Sequence, residues 1–238
     1  KDTYFDENTL QLTGSNIRFL SFIKDELLPY MEGSYKTSPF VSLIGHGASA
    51  NIITAYLKSK RPAFNAFVAI NPSFTTNITD KVKAYQVDKL SKVDNTFYYY
   101  TNEASFFSEK KKKNLTILNT YLSSLSAENF NFKFDKMNSP NYISAMSEAI
   151  PRAINEIFQL YPAISKEEFN DKIKGLEPLD AISYLENKYL DIDFLFGSNL
   201  GIREKDIYMI EDVIIDKEDG EYLRNFGEMI LNVYPKSH

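Results

Sequence analysis

Residues 41–57, VSLIGHGASANIITAYL, predict a strand, a tight turn and a helix in direct succession. The run PFVSLIG is apolar and is bounded by Pro39 and Gly45, which is typical of a short buried strand. The segment ASANIITAYLKSK that follows is predicted to be a helix. The turn between them reads GHGAS (residues 45–49), and its small residues allow a sharp change of direction. The stretch therefore places a tight backbone turn at the carboxyl end of a strand.

Strands and helices alternate around this turn from about residue 39 to residue 161. Before it, GSNIRFLSFIKDELLPYMEGSY predicts an amphipathic helix with Ser15 as its N-cap. Buried strands are predicted in AFNAFVAINPSF and NTFYYYTNE, and a half-buried strand near a sheet edge in NFNFKFDKM. The alternation favours an α/β domain with a largely parallel sheet and right-handed crossovers. The inward stripe of the first helix is predicted to contain Ile17, Leu20, Ile23, Leu27 and Leu28.

Two further helices belong to this alternating region. The first, SEKKKKNLTILNTYLSSLSAE, is predicted to turn its leucines at 115, 118, 122 and 125 inward, and the second, NYISAMSEAIPRAINEIFQLY, is predicted to bend at Pro151. The lysine run at residues 110–113 is interpreted as a solvated face near a helix start. A docking patch for an acidic partner is the alternative interpretation of that run.

The pattern changes after Pro162, where strand signals end. Three segments are predicted to be helical: SKEEFNDKIKG, with Ser165 at its start, PLDAISYLENKYL, and GEYLRNFGEMILNVY. We therefore expect an α/β domain at residues 1–162 and a small helical appendage at residues 163–238. The acidic stretch DVIIDKEDGE (residues 212–221) lacks the ligand spacing of a calcium loop and is interpreted as a solvated helix–loop edge.

Composition excludes several classes of function. The 238-residue chain has a net charge of −5, which argues against nucleic acid as a partner, and no apolar run approaches a membrane span. It has no cysteine and therefore neither disulfides nor thiolate metal sites, and its only histidines are His46 and His238. No phosphate-binding loop, dinucleotide fingerprint or zinc spacing is present, so no cofactor is expected.

The strand–turn–helix has the form of a nucleophile elbow without its nucleophile. In α/β-hydrolases the elbow reads G-x-S-x-G, and the serine hydroxyl is exposed above the sheet. Here Gly47 stands at the serine position and has no side chain with which to attack. Glycine accepts the strained backbone of an elbow, so the geometry can persist without the chemistry.

The first 161 residues resemble the esterase D-like family of α/β-hydrolases, which includes siderophore esterases and many bacterial envelope proteins. The resemblance is carried by FLSFIKDELLPYMEGSY, LIGHGASAN and RPAFNAFVAINPSF. It implies a mostly parallel sheet flanked by helices, with several strands ahead of the FLSFIKDEL helix. None of those N-terminal strands is predicted from the present residues, so we expect about four strands and one exposed sheet edge.

The resemblance also implies where a catalytic triad would lie. Glu103 occupies the matching acid position, and Asn141 stands nearest to the place of the base, where the family has a histidine. Asparagine cannot act as a general base near pH 7. Together with Gly47, these positions are interpreted as vestigial, while His46 and Ala48, which flank Gly47, are the candidate ligand-binding residues. His46 is interpreted as a packing or hydrogen-bonding residue of the turn.

Three hypotheses follow from this incomplete triad. The first is a binding or scaffolding domain that has lost hydrolysis, with an acyl or aryl ligand in a Phe- and Tyr-lined site and a protein partner on the C-terminal helices. The second is an active carboxylic-ester hydrolase in which Gly47 is a substitution or Ser49 is the nucleophile; packing of the helix on the sheet is the simpler role for Ser49. The third is a structural envelope protein. The resemblance favours an exported or periplasmic location.

Overall fold

A computed structural model of the chain describes residues 5–6, 11–12, 15–55, 63–74, 78–84, 96–126, 129–197 and 201–234. It divides into two compact units after Ile157. The domain assignment expected from the sequence, 1–162 and 163–238, stays a prediction. The elements of the first unit are β1 (Phe5–Asp6), β2 (Gln11–Leu12), α1 (Ser15–Phe22), a π-helical turn (Ile23–Leu27), α2 (Leu28–Ser34), β3 (Ser42–His46), α3 (Ala48–Ala55), β4 (Ala66–Ile70), α4 (Ile78–Ala84), β5 (Phe97–Ala104), α5 (Glu109–Ser123), β6 (Phe130–Met137) and α6 (Tyr142–Ile157).

The main sheet of the first unit has four strands in the order β3-β4-β5-β6, and all neighbours are parallel. Strands β4 and β5 occupy the centre, and every residue of β4 is buried because neighbours cover both of its edges and helices cover its faces. The short strands β1 and β2 form a separate antiparallel pair. The predicted α/β fold with a mostly parallel sheet is therefore confirmed.

The expectation that residues 39–45 form a fully buried strand is wrong. Ser42 is exposed and Ile44 is 45% exposed, because β3 pairs only with β4 among the described strands and lies at the edge of the sheet. The prediction that the NFNFKFDKM strand lies near an edge agrees with the position of β6 in the described sheet.

The inward stripe predicted for the first helix is correct in part. Leu20 is buried, and Ile23 and Leu28 pack against the core, but Leu27 is 37% exposed. The π-helical turn at Ile23–Leu27 places more residues in one turn than an α-helix does, which shifts the apolar face that regular helical spacing predicts. The side chain of Ile17 lies outside the described ones.

Helices α5 and α6 pack in the first unit through buried apolar side chains. Three of the predicted leucines of α5, at positions 115, 118 and 122, are fully buried, and Leu125 is half-buried beyond the helix end. Helix α6 buries a row of alanines at 145, 149 and 153, whose small side chains allow a close approach to its neighbours. A hydrogen bond of 2.6 Å from Ser139 Oγ to Glu148 Oε2 ties the loop after β6 to this helix. The first residue of α6, Tyr142, is thereby held at the end of the sheet.

Every described secondary-structure element of the second unit is a helix or a helical turn. It consists of α7 (Lys166–Glu168) with a π-helical turn (Phe169–Ile173), α8 (Pro178–Phe196), α9 (Glu204–Asp216) and α10 (Gly220–Val233). Ser165 caps α7 as predicted, because its side chain accepts a hydrogen bond from the Glu168 amide. Helix α9 is not among the predicted helices, and it includes the first half of the acidic stretch at residues 212–221. Asp219, in the second half of that stretch, caps α10.

A buried carboxylate organises this second unit. Asp206 is fully buried and accepts hydrogen bonds from the Ile164 amide and from the Tyr189 hydroxyl, each at 2.8 Å. Nearby, burial opposes the ionisation of Glu168, but hydrogen bonds from Lys188 and Tyr184 outweigh it and hold the pKa of Glu168 below its ordinary value. These polar contacts, together with the packing of α8, α9 and α10, give the unit its own core.

Gly45 is expected to be the least replaceable residue of the β3–α3 turn. A Cβ at Gly45 would lie 2.7 Å from Ile53 Cδ1 and 2.9 Å from the Ser49 carbonyl carbon and oxygen. We expect Gly45→Ala to lower the free energy of unfolding by about 3 kcal/mol, since backbone atoms must move. Gly47→Ala is the matched control, because its Cβ meets open space and only its positive φ costs about 1–2 kcal/mol. Urea unfolding measures both free energies. A smaller loss of stability for Gly45→Ala than for Gly47→Ala would contradict the close approach of Ser49 and Ile53 to Gly45.

Candidate functional site

The turn between β3 and α3 is a tight strand-to-helix turn. Gly47 adopts a left-handed conformation with φ of 62°, and α3 begins at the next residue, Ala48. The Gly47 amide donates a hydrogen bond of 2.9 Å to the Ile70 carbonyl, which ties the turn to the end of β4. Apart from its chain neighbours, no heavy atom of the described residues lies within 4 Å of the position that a Cβ of residue 47 would occupy. A side chain there would therefore project into open space, but the chain has none at that point.

Two buried amides lie at the carboxyl ends of β4 and β5, beside the turn. Asn71 is fully buried and left-handed, with φ of 50°. Its backbone amide donates to Asn102 Oδ1 at 2.7 Å, and Asn102 Nδ2 donates back to Asn71 Oδ1 at 2.8 Å. This reciprocal pair uses Asn71 Oδ1 as an acceptor, so its Nδ2 faces the opposite way, toward His46 and the carbonyl of Tyr142.

His46 is held in its neutral form by these surroundings. Asn71 Nδ2 lies 3.0 Å from His46 Nε2, and because an amide nitrogen only donates, Nε2 accepts and the ring proton is on Nδ1. Burial lowers the pKa of His46 below 6.5, and the positive charge of Lys111 lowers it further. The expected role of His46 as a hydrogen-bonding residue of the turn matches this contact.

An aromatic cluster of Phe106, Phe107 and Tyr142 lies beside His46. The ring of Tyr142 meets the His46 ring edge-on at 5.4 Å between centroids and the Phe106 ring at 4.8 Å. Lys111 Nζ lies 3.6 Å from the centre of the Phe107 ring and donates a hydrogen bond of 3.1 Å to the Tyr142 hydroxyl. The lysine ammonium is thus fixed on the aromatic cluster next to the turn.

The lysine run at 110–113 is consequently not uniform. Lys110 and Lys113 are exposed, as a solvated face requires, and Lys112 forms an ion pair of 3.0 Å with Glu109. Lys111 is half-buried and points back over Phe107. The interpretation of the whole run as a solvated face is therefore wrong for Lys111, because aromatic neighbours brought together by the fold attract its side chain.

The predicted acid position, Glu103, makes no described contact with the turn. Glu103 is half-buried in β5, in register with Lys136, and its carboxylate makes no hydrogen bond or ion pair with any described residue. Successive strand residues point to opposite faces of a sheet, so Glu103 and Asn102 face opposite ways. Asn102, one residue earlier, is the side chain that reaches the network beside the turn.

The predicted base position serves a structural role in the loop after β6. Asn141 Oδ1 accepts hydrogen bonds of 3.0 Å from the amides of Ile143 and Ser144, which makes Asn141 the N-cap of α6. The loop itself does reach the turn, since the carbonyl of the next residue, Tyr142, accepts a hydrogen bond from Asn71. The structure therefore brings residues 46, 71, 102 and 142 together and leaves Glu103 outside this network.

The two residues after Gly47 lie at the start of α3. Ala48 is exposed, and Ser49 is half-buried with its carbonyl group close to Gly45. Ser49 makes no side-chain hydrogen bond with a described residue. Its role as a packing residue and the ligand-binding role of Ala48 stay predictions.

Sequence reasoning missed Asn71, Asn102, Lys111 and Tyr142. The two asparagines carried a usable signal, because each lies at or near the carboxyl end of a predicted strand, where ligand sites of parallel sheets form. The position of Lys111 carried only a weak signal, its spacing of four residues from Phe107. Among the described residues, no group of three or more His, Cys, Asp or Glu side chains is placed to hold a metal ion, and none of the described helices has the length and apolar content to cross a membrane.

Comparison with known proteins establishes the fold and no more. No family model and no curated protein matches the chain. Among solved structures, an uncharacterised protein from Capnocytophaga ochracea has a TM-score of 0.84 at 22% identity over 97% of this chain, which spans 64% of that protein. An IroE-like serine hydrolase from Shewanella oneidensis has a TM-score of 0.58 at 17% identity, with 94% of this chain and 69% of the hydrolase covered. The BES protein from Bacillus cereus has a TM-score of 0.55 at 18% identity, with 63% and 58% covered.

These likenesses and the parallel sheet together show an α/β-hydrolase-like fold. Structures similar to this chain include a protein described as a serine hydrolase, so the fold is one that esterase-like proteins share. The chain spans less than two thirds of the Capnocytophaga protein.

The histidine at the turn offers a direct test of these contacts. We expect His46 to titrate below 6.5, and Lys111→Gln to raise its pKa because a neighbouring positive charge is removed. NMR pH titration measures this cleanly, since His238 is the one other histidine and serves as an internal reference. Lys113→Gln is the matched control and should leave the pKa of His46 unchanged.

The same shift has a consequence for stability. Since the pKa of His46 is lower in the folded chain than in the unfolded chain, the unfolded state binds more protons between those two values. The contribution of neutral His46 to the stability of the fold is therefore present above pH 6.5, and it is lost as the pH falls through the pKa of His46 in the folded chain. A pKa of His46 at or above 6.5, or no response to Lys111→Gln, would show that the ring is not held as described.

Proposed function

We propose that this chain is a hydrolase-like binding domain that does not hydrolyse esters. The observation that carries the proposal is Gly47, which occupies the elbow in the left-handed conformation of a nucleophile but offers no nucleophilic atom. Ester hydrolysis on this fold begins with attack by that residue. An elbow with its backbone kept and its side chain missing supports retention of the surface without the reaction.

Among the described side chains around the turn, none is placed to act as a general base. The Nε2 atom of His46 is bound to Asn71 Nδ2, so its lone pair is occupied, and Asn141 is an amide whose oxygen caps α6. Glu103 belongs to the opposite side of its strand from Asn102. Because triad members act as a unit, the loss of nucleophile and base together leaves no efficient route to hydrolysis.

The aromatic cluster gives the proposed ligand a surface. Tyr142 is 44% exposed and Phe106 is half-buried, so both rings offer apolar area to a bound molecule. The proposed ligand is a small acyl or aryl compound that lies over this cluster and beside His46 and Ala48. Binding there needs no covalent step.

A protein partner on the C-terminal helices forms the scaffolding part of the proposal. Helix α8 exposes Leu190 and Phe194, which are 65% and 74% accessible and lie four residues apart on one helix face. We propose that this apolar pair is part of the surface that contacts the partner, since contiguous exposed apolar area is typical of protein interaction sites.

The second candidate is a carboxylic-ester hydrolase whose nucleophile position now holds Gly47. It is favoured by one observation: a Cβ at residue 47 would meet no described heavy atom within 4 Å apart from its chain neighbours, and the backbone there already has the positive φ that an elbow serine adopts. Gly47→Ser is therefore expected to fold and to place a hydroxyl above the turn.

Release of 4-nitrophenol from 4-nitrophenyl butyrate separates the two candidates. We expect wild type, Gly47→Ser and the control Gly47→Ala all to stay at the background rate, because no described side chain is placed to activate a hydroxyl as a base. Only the release of many equivalents of 4-nitrophenol per chain counts as catalysis, because a single acylation of a surface lysine also releases one equivalent. Multiple turnover by wild type would overturn the proposal, with Ser49→Ala as the variant that locates the nucleophile. A rise of about 10³-fold in Gly47→Ser alone would establish the second candidate.

A further inference from the structure

We propose that Lys111, Tyr142 and His46 form a carboxylate-binding subsite, so that the ligand of this face is an anionic aryl or acyl acid. This inference rests on the proposed function and gives its ligand a charge. The position of Lys111, one of four consecutive lysines in the sequence, is the starting observation.

The first observation is that no described carboxylate neutralises Lys111. Its neighbour Lys112 pairs with Glu109, whereas no described Asp or Glu oxygen lies within 4.0 Å of Lys111 Nζ. One contact of the Lys111 ammonium is the face of Phe107 and another is the Tyr142 hydroxyl. An ammonium group has three hydrogen atoms to donate, so donor capacity remains for a bound anion.

The second observation is that the three polar side chains here offer donors. Because Lys111 donates to the Tyr142 oxygen, the phenolic hydrogen of Tyr142 is left to donate elsewhere. The neutral ring of His46 carries its proton on Nδ1, and that atom makes no hydrogen bond with a described residue. A set made of donors fits a carboxylate, which only accepts, and does not fit a neutral amine.

The third observation concerns the local charge. The chain as a whole carries −5, so its overall field does not attract anions. The acidic side chains of α6 and β6 near the sheet end are already engaged, since Arg152 lies 2.6 Å from Glu148 and 3.9 Å from Asp135. The positive charge of Lys111 at this point is therefore a local exception, and it lies beside the exposed ring of Tyr142.

The apolar part of the ligand follows from the same cluster. The carboxylate would lie at Lys111 Nζ, and its attached ring or chain would lie against Tyr142 and Phe106, which are tilted 46° to each other. Aromatic side chains and a lysine together bind an aryl carboxylate through ring contact and a charge-assisted hydrogen bond. The neutral ester of the same acid would lose the second of these contacts.

Benzoate and benzamide form a matched pair of probes, because they share a shape and differ in charge. We expect isothermal titration calorimetry to show benzoate binding to wild type more tightly than benzamide, with an affinity that falls as salt is added. Lys111→Gln should weaken benzoate about tenfold or more and leave benzamide nearly unchanged. Lys113→Gln, an exposed lysine of the same run, is the control and should bind both as wild type does.

A second readout separates a binding role from a folding role. Benzoate at Lys111 places a negative charge near His46, so it should raise the pKa of His46 in an NMR titration while His238 does not move. Tyr142→Phe keeps the ring and removes only the hydroxyl, so a weaker response to benzoate in that variant tests the donor itself. If either variant lost its fold, the effect of benzoate on His46 in the wild-type chain would still decide the matter.

The outcomes distinguish this inference from the proposed function. Equal binding of benzoate and benzamide, or no effect of Lys111→Gln, would overturn the carboxylate subsite and leave an aryl-binding, non-hydrolytic domain. Binding of neither probe would overturn the subsite, whereas the absence of hydrolysis is decided separately by the ester assay.

Discussion

The reciprocal amide pair of Asn71 and Asn102 is the interaction on which the site depends. It joins the carboxyl ends of the two central strands through bonds of 2.7 and 2.8 Å in a fully buried place. Buried amides without partners cost about 1–3 kcal/mol each, so the pair is stable only when both members are present. The pair also fixes the orientation of the Asn71 amide, which sets the proton position on His46 and fixes the carbonyl of Tyr142 at the turn.

The other features of the site are linked to this pair by a series of contacts. The turn is tied to β4 through the Gly47 amide, and the start of α6 is tied to it through Tyr142. Tyr142 in turn holds Lys111, whose charge adds to burial in keeping His46 neutral. The described residues beside the turn present hydrogen-bond donors and aromatic rings, and this is the surface that we propose binds an anion.

The sequence predicted the order of strands and helices in the first unit because apolar period and turn residues are local signals. It failed where the outcome depends on neighbours distant in the chain. The run at residues 39–45 predicts a buried strand, but burial depends on what pairs with the far edge of that strand, and Ile44 is exposed. Leu27 lies outside the predicted apolar stripe because residues 23–27 form a π-helical turn, and nothing in the sequence IKDEL predicts that turn.

For the site, the difficulty was the direction of single side chains. The resemblance implies Glu103 as the acid position, whereas its neighbour Asn102 is the residue that contacts the network. Because successive strand residues point to opposite faces of a sheet, these two side chains face opposite ways. Lys111 could not be distinguished from the lysines beside it, because its environment is made by Phe107 and by Tyr142 from another helix. Gly47 was placed correctly at the apex of the turn because its small size and the strand–helix boundary are both visible in the sequence.

The central claim is that the elbow has kept its backbone and holds no activated nucleophile. Its most direct test is treatment of the wild-type chain with a fluorophosphonate, followed by intact mass spectrometry. An activated serine would displace fluoride and gain the phosphonyl group, whereas this account predicts an unchanged mass at every reagent concentration that labels a working serine esterase. A stoichiometric adduct that maps to Ser49 would contradict the account and show that the chain hydrolyses by a nucleophile beside the elbow.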